Sequence, residues 1–123
     1  MAVKRCLDTY ALMEIAQGNP RFKDLVDAQF VVTDLTLAEF YAVLLREHGR
    51  TLADSWHARL ERYAQPCSRA LLIEAVRFRH QHRTTRISFF DAIGYVYSVE
   101  NGCYFVTGDR DFETLPHVEF RKK

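Results

Sequence analysis

Four acidic side chains, Asp8, Glu39, Asp91 and Asp109, stand where they can do chemistry together. Each also has an ordinary role. Asp8 follows the apolar run 3–7 and suits the N-cap of a helix that starts after it. Thr36-x-x-Glu39 and Ser88-x-x-Asp91 fit the capping box, in which an acid at the third helical position bonds back to the cap. Asp109, after Gly108, suits a turn. Taken singly, these structural roles outweigh a catalytic one. Their shared placement shifts the balance, because residues just after a strand, or in the first turn of the following helix, line the crevice at the carboxyl edge of an open α/β sheet. All four can reach one such rim. Like charges about 4 Å apart repel by roughly 4 kcal/mol at an effective dielectric of about 20. Carboxylates so gathered therefore need protonation or a cation, and an all-oxygen donor set suits Mg²⁺ or Mn²⁺ rather than zinc. Mg²⁺ keeps several waters and accepts phosphate oxygens, which points the chemistry at a phosphodiester.

The elements that must position these acids follow from hydrophobic periodicity. Residues 3–7 read as a short strand, and Ala11, Leu12, Ile15 and Ala16 recur at helical spacing until Gly18-Asn19-Pro20. A weaker helical stretch over 21–28 leads into the β-branched strand 30–33. Leu37, Phe40, Tyr41, Leu44 and Leu45 form the stripe of a helix that begins near Thr36 and ends at Gly49, and a further helix covers 51–63. A short edge strand is expected around Pro66-Cys67, then a helix carrying Ala70, Ile73, Ala75, Val76 and Phe78. The next helix, starting near Ser88, is apolar almost all round and should be buried. Asn101-Gly102 ends it, 103–107 reads as a buried strand, and 117–120 adds a last one. Strands separated by helices throughout predict an α/β fold with a mainly parallel sheet.

Composition bounds the function without choosing it. A chain of 123 residues with 48% apolar residues and no composition break suits one domain, 1–123. The net charge of +1 does not announce nucleic-acid binding, so any such surface must come from local clusters of Arg and Lys. Cys6, Cys67 and Cys103 are odd in number and lie in or beside apolar runs; they read as buried free thiols, not as a zinc or redox site. His80 and His82 are two apart on a helix and point different ways, which is poor ligand geometry. Trp56 and Tyr63 read as packing groups. The sequence carries no signal peptide or membrane span, so a cytoplasmic location is the default.

The order and spacing of four short pieces carry a more specific message. Leu7-Asp8-Thr9, Leu35-Thr36-Leu37-Ala38-Glu39, Ser88-Phe89-Phe90-Asp91-Ala92 and Val106-Thr107-Gly108-Asp109-Arg110-Asp111-Phe112 together span almost the whole chain, and in them it resembles the PIN-domain family, close to the VapC-type toxin group. The resemblance implies a three-layer α/β/α sandwich with a mainly parallel central sheet and an Mg²⁺- or Mn²⁺-dependent endoribonuclease. It implies Asp8, Asp91 and Asp109 as metal-site carboxylates, Glu39 as the group that holds or activates water, and Thr107 as support through its hydroxyl. Asp111 matches a further acid common in such sequences, with a turn role at least as strong. The implied reaction is in-line attack of metal-activated water on an RNA phosphodiester. The implied partners are an RNA substrate, an antitoxin protein and a second copy of the chain in a homodimer, with no membrane. Tyr10 departs from the small polar residue that many members carry there; it either fills core space or stacks on a base.

The basic residues stay open between two readings. Arg77, Arg79, His80, His82, Arg83 and Arg86 form the densest basic run, suited equally to RNA phosphates and to a solvated helix end whose cations complement the dipole. Arg110 beside Asp109 is better placed for a phosphate contact, or pairs with a neighbouring carboxylate. The tail 121–123 reads as mobile and solvated. Two rival classes compete with this reading. A non-catalytic RNA- or protein-binding module on the same fold is disfavoured by the presence of all four acids. A receiver-like signalling domain wants a Lys after a late strand, and no Lys occurs between Lys23 and Lys122.

Overall fold

The computed structural model describes residues 4–122, so Val3 of the first expected strand and Lys123 of the tail lie outside the described residues. In chain order the elements are β1 (Arg5–Leu7), α1 (Thr9–Ala16), α2 (Asp24–Asp27), β2 (Phe30–Thr33), α3 (Asp34–His48), α4 (Arg50–Leu60), β3 (Ala64–Gln65), α5 (Arg69–Gln81), α6 (Phe89–Glu100), β4 (Tyr104–Thr107) and β5 (Val118–Phe120). Single 3₁₀ turns cover Pro20–Phe22, Glu61–Tyr63 and Arg110–Phe112. All pairings are parallel and the strand order is β3-β2-β1-β4-β5. The chain thus winds outward from β1 in one direction and then, from β4, in the other. The crevice at that switch lies between the carboxyl ends of β1 and β4, where open α/β sheets bind ligands.

Alternation along the strands assigns the two faces. Leu7, Phe30, Val32 and Val106 point into a core shared with Leu12, Leu25, Phe40, Leu44 and Ala53 of α1 to α4 and with Phe22 of the first 3₁₀ turn. Cys6, Val31 and Phe105 point into the other core, with Leu71 and Ala75 of α5 and Ala92, Ile93 and Tyr95 of α6. The parallel sheet is the one the periodicity predicted, and its cover on both faces is the three-layer α/β/α arrangement that the resemblance implied. The last helix is buried through Ala92–Tyr95, Tyr97 and Ser98, whereas Phe89, Phe90 and Val96 are half-buried and Val99 is exposed, so its burial is less complete than its apolar circumference predicted. Gly94 lets it sit directly on the sheet: a Cβ there would lie 2.6 Å from Cε1 of Phe105.

Several boundaries moved, each for a local reason. The stretch over 21–28 splits into the 3₁₀ turn and α2, because Pro20 starts a turn capped by Asn19. α3 begins two residues before Thr36. Its cap is Thr33, the last residue of β2, whose hydroxyl accepts from the Thr36 N–H at 3.1 Å. The capping-box reading of Thr36 and Glu39 therefore fails, and Glu39 stands in the second turn. The edge strand falls at Ala64–Gln65, before Pro66 and not around it. A residue preceding proline is held extended, and Pro66 has no N–H to continue the ladder. Tyr104 of β4 is 47% exposed, so that strand is buried only from Phe105 onward.

The tail is likewise not wholly solvated. Arg121 donates to both carboxylate oxygens of Asp24 at 2.7 Å, to Glu119 at 2.7 Å and to the Arg21 carbonyl at 2.8 Å. Glu119 also accepts from Arg5 at 2.7 Å, tying the last strand to the first. Cys6, Cys67 and Cys103 are free thiols, the first and last buried, and burial pushes Cys6 up to about 12. No helix among the described residues is long and apolar enough to cross a membrane.

The close seat of α6 gives a direct test. Gly94→Ala adds a methyl that the fully buried Phe105 ring cannot avoid, so despite the better helix propensity of Ala the variant should lose about 1–3 kcal/mol in urea unfolding. Unchanged or raised stability would show that the helix has room to lift.

Candidate active site

The carboxyl edge of the sheet carries a pocket of about 290 Å³ lined by Asp8, Thr9, Tyr10, Glu39, Val43, Asp91, Gly108 and Asp109. The four acids singled out by spacing thus share one cavity. Asp111, Thr107 and Arg110 are not among its lining residues.

Asp8 is positioned by two elements at once. Its N–H donates to the Val106 carbonyl at 3.1 Å, extending the β1–β4 pairing past Leu7, and its carboxylate caps α1 by accepting from the Ala11 N–H at 2.8 Å. The capping role and the rim position therefore belong to the same side chain. Asp8 is only 2% exposed. Desolvation, followed by repulsion from Asp91, pushes its carboxyl up to about 8, while hydrogen bonds from Thr107 and from the Ala11 N–H pull the other way. Asp91 sits in the first turn of α6, where its N–H donates to the Ser88 hydroxyl at 3.1 Å. Desolvation and then the charges of Glu39 and Asp109 raise it to about 7. Asp109 caps the turn Arg110–Phe112 through the Asp111 N–H at 2.9 Å, and its own N–H donates to the Thr107 hydroxyl at 3.1 Å. Buried Thr107 thus braces two of the acids, Asp8 and Asp109.

Glu39 is reached differently. Freed from any cap, its carboxylate accepts a hydrogen bond from the Thr9 hydroxyl. Thr9 had no role in the sequence reading. Its signal was only the polar, β-branched residue directly after Asp8, at a position that faces the same rim. Tyr10 takes the packing role: its ring meets Phe22 edge-on at 5.9 Å and lies across Gly108, where a Cβ would come within 2.5 Å of Cε1 and 2.9 Å of the Arg121 carbonyl oxygen. Gly108 is required by close approach and not by its backbone angles. Asp111 is exposed and its carboxylate accepts from the Arg86 N–H at 3.2 Å, which is the structural reading for that acid. Arg110 is exposed. The histidines keep away from the pocket: His82 lies against Phe78, and His57 beside Glu61 and Tyr41.

Carboxylates that favour a proton near neutrality are carboxylates that would favour a cation. The pocket's donors are all oxygen, with neither His nor Cys among them, which fits Mg²⁺ or Mn²⁺ and does not fit zinc. Among the described residues no three such side chains are already gathered tightly enough to hold an ion by themselves. Mg²⁺ tolerates such an open set, since it keeps several waters and takes only one or two carboxylates plus phosphate oxygens.

Residues 5–118 match the family described as PIN domain. No curated protein matches. Among solved structures, the chain is similar to Mycobacterium tuberculosis VapC20, described as a sarcin-ricin loop cleaving toxin, with TM-score 0.78 and 22% identity over 96% of this chain and 99% of that one. It is also similar to a toxin–antitoxin complex from Klebsiella pneumoniae, with TM-score 0.75 and 18% identity over 94% and 95% of the two chains. A third is VapBC2 of Rickettsia felis bound to a promoter DNA fragment, with TM-score 0.73 and 14% identity over 97% and 98%.

The raised acids set the sign of a pH dependence. Below about pH 3, Asp8 is protonated in both folded and unfolded chains. As pH rises towards 8 the unfolded chain ionises while the folded one keeps its proton, so stability falls by up to about 1.4 kcal/mol per pH unit for each such group. In EDTA, Tm should therefore drop from about pH 5 to about pH 8, and Asp8→Asn should flatten that drop and raise Tm at the alkaline end. A variant with the slope of the parent would remove Asp8 as its source.

Proposed function

Since this chain belongs to the PIN-domain family, we propose that it is an Mg²⁺- or Mn²⁺-dependent endoribonuclease of the VapC type, the toxin of a toxin–antitoxin pair. The observation that carries this reading is the all-oxygen pocket at the β1–β4 switch, with two of its four acids pushed towards neutrality by burial and mutual repulsion. A structural acid cluster would be expected to hold its charges apart or pair them with cations. This one spends stability to keep them together, the pattern of a functional site.

Asp8, Asp91 and Asp109 would hold the ion, which when bound would offset phosphate charge and acidify water. Thr107 keeps Asp8 and Asp109 in place, and Thr9 aims Glu39. In hydrolysis a P–O bond forms to the water oxygen and the P–O bond to the leaving ribose oxygen breaks. Glu39 takes the proton of the attacking water, and solvent protonates the leaving oxygen. The pocket is large enough for a phosphate and its ion but small for a whole nucleotide, so the strand must lie across the rim with its scissile phosphate turned inward. Arg110, exposed next to Asp109, suits a phosphate contact there.

Both cores packed on one sheet support a single PIN-like domain, and the likeness to VapC20 and to toxin–antitoxin complexes supports the toxin role and an antitoxin partner. Homodimerisation and a cytoplasmic site of action, where RNA is met, belong to the same reading.

Purified protein should cleave a mixed RNA pool with Mg²⁺ or Mn²⁺ and not with EDTA. Asp8→Asn and Asp91→Asn should each lower the rate roughly 10²-fold or more, because each removes charge from the site where phosphate charge must be offset. Cleavage that survives both substitutions would point to a contaminant. RNA binding without cleavage would favour the non-catalytic binding module.

A further inference from the structure

Asp111 does more than start a turn. Its N–H donates to the Asp109 carboxylate at 2.9 Å and its carboxylate accepts from the Arg86 N–H at 3.2 Å, so one residue joins the acid pocket to the loop between α5 and α6 across 25 positions of sequence. That loop is itself braced. The Thr85 hydroxyl donates to the His82 carbonyl at 2.6 Å, and Arg79 Nε donates to the Ile87 carbonyl at 3.1 Å. Most arginine side chains on this surface are engaged: Arg77 with Glu74, Arg79 with Ile87, Arg83 with the His80 carbonyl. Arg86 and Arg110, on either side of Asp111, are both exposed, and among the described residues neither guanidinium has a hydrogen bond, ion pair or ring contact.

We propose that Arg86 and Arg110 form a phosphate-binding rim for the single-stranded RNA flanking the scissile bond, and that Asp111 is the positioning residue that holds this rim in register with the acid pocket. The proposal rests on the nuclease reading for its substrate. Its physical basis is the juxtaposition itself. Arg110 follows Asp109 directly in sequence and Arg86 is held through its main-chain N–H to Asp111, so the Asp111 clamp ties the main chain from which both cations project to the Asp109 edge of the acid pocket. A guanidinium so placed offers a planar fork of donors to phosphate oxygens. An RNA backbone turned with one phosphate into the pocket must place its neighbouring phosphates over the surrounding rim, where cations compensate the repulsion of the acids.

The test is binding of a short, labelled single-stranded RNA by anisotropy across a salt series, in an Asp91→Asn background with Mg²⁺, alongside cleavage by the parent protein. Arg86→Gln and Arg110→Gln should each weaken binding roughly tenfold and reduce the slope of log affinity against log salt by about 0.7, the value for one phosphate contact on a single strand. Asp111→Ala should reproduce the loss seen for Arg86→Gln, while Asp111→Asn, which keeps an acceptor for the Arg86 N–H, should restore the slope. A salt slope unchanged in both arginine variants overturns the rim, and an Asp111→Ala variant that only lowers Tm overturns the positioning role. If the parent protein fails to cleave yet binding remains sensitive to Arg86 and Arg110, the nuclease reading falls and the rim stands. An absence of RNA binding by the background protein overturns the rim outright.

Discussion

Asp8 sits where its charge is least welcome and where the fold gives it no way out. Its main chain is committed to the β1–β4 ladder through the Val106 carbonyl, and its side chain to the first turn of α1 through the Ala11 N–H. Turning the carboxylate to solvent would break the cap and leave N–H groups at the start of α1 unmet. Asp109 is pinned by the same logic, its carboxylate capping the turn Arg110–Phe112, whereas Asp91 is placed through its main chain, whose N–H donates to the Ser88 hydroxyl at the start of α6. Burial first, and then the charges of neighbouring acids, push the carboxyls of Asp8 and Asp91 up towards neutrality. Everything else at the carboxyl edge, including the Thr107 brace and the Thr9 contact to Glu39, serves to keep that arrangement in one geometry.

Strand order explains why the acids come from four distant stretches of sequence. With β1 and β4 adjacent at the centre, their carboxyl ends bring Asp8 and Asp109 together, and α3 and α6 contribute Glu39 and Asp91. A sheet wound in simple sequence order would have put two strands between the first and last acids. The two cores matter for the same reason: strands filled on both faces by Leu7, Val32 and Val106 on one side and Cys6, Val31 and Phe105 on the other cannot slip by one residue without inverting every side chain.

The sequence made some of this legible and hid the rest, along a line drawn by range of interaction. Local patterns carried the strands, the buried helix α6 and the Asp8 and Ser88 caps, since periodicity and capping are properties of a few neighbouring residues. The placement of all four acids in one pocket was also readable, because it follows from where strands end in an α/β sheet. What stayed hidden depended on contacts between remote segments. The Thr33 cap displaced the expected box at Thr36 only because β2 runs directly into α3, with no loop between them. Nothing near Arg121 announced that a terminal arginine would be held by Asp24, ninety-seven positions away, and Asp111 could not be seen to reach Arg86.

The contact of Tyr10 with Gly108 has an evolutionary corollary. The aromatic ring occupies the volume that any β-carbon at position 108 would need, so drift at the two positions is not independent. While a bulky ring stands at position 10, replacement of the glycine is closed off. Were position 10 to become small first, the Arg121 carbonyl oxygen, 2.9 Å from such a β-carbon, would still stand in the way, and position 108 would open to mutation only after a shift of that segment. The order in which such changes accumulate is thus constrained by one missing atom, and descendants that lose the ring are those in which a side chain at position 108 should be sought.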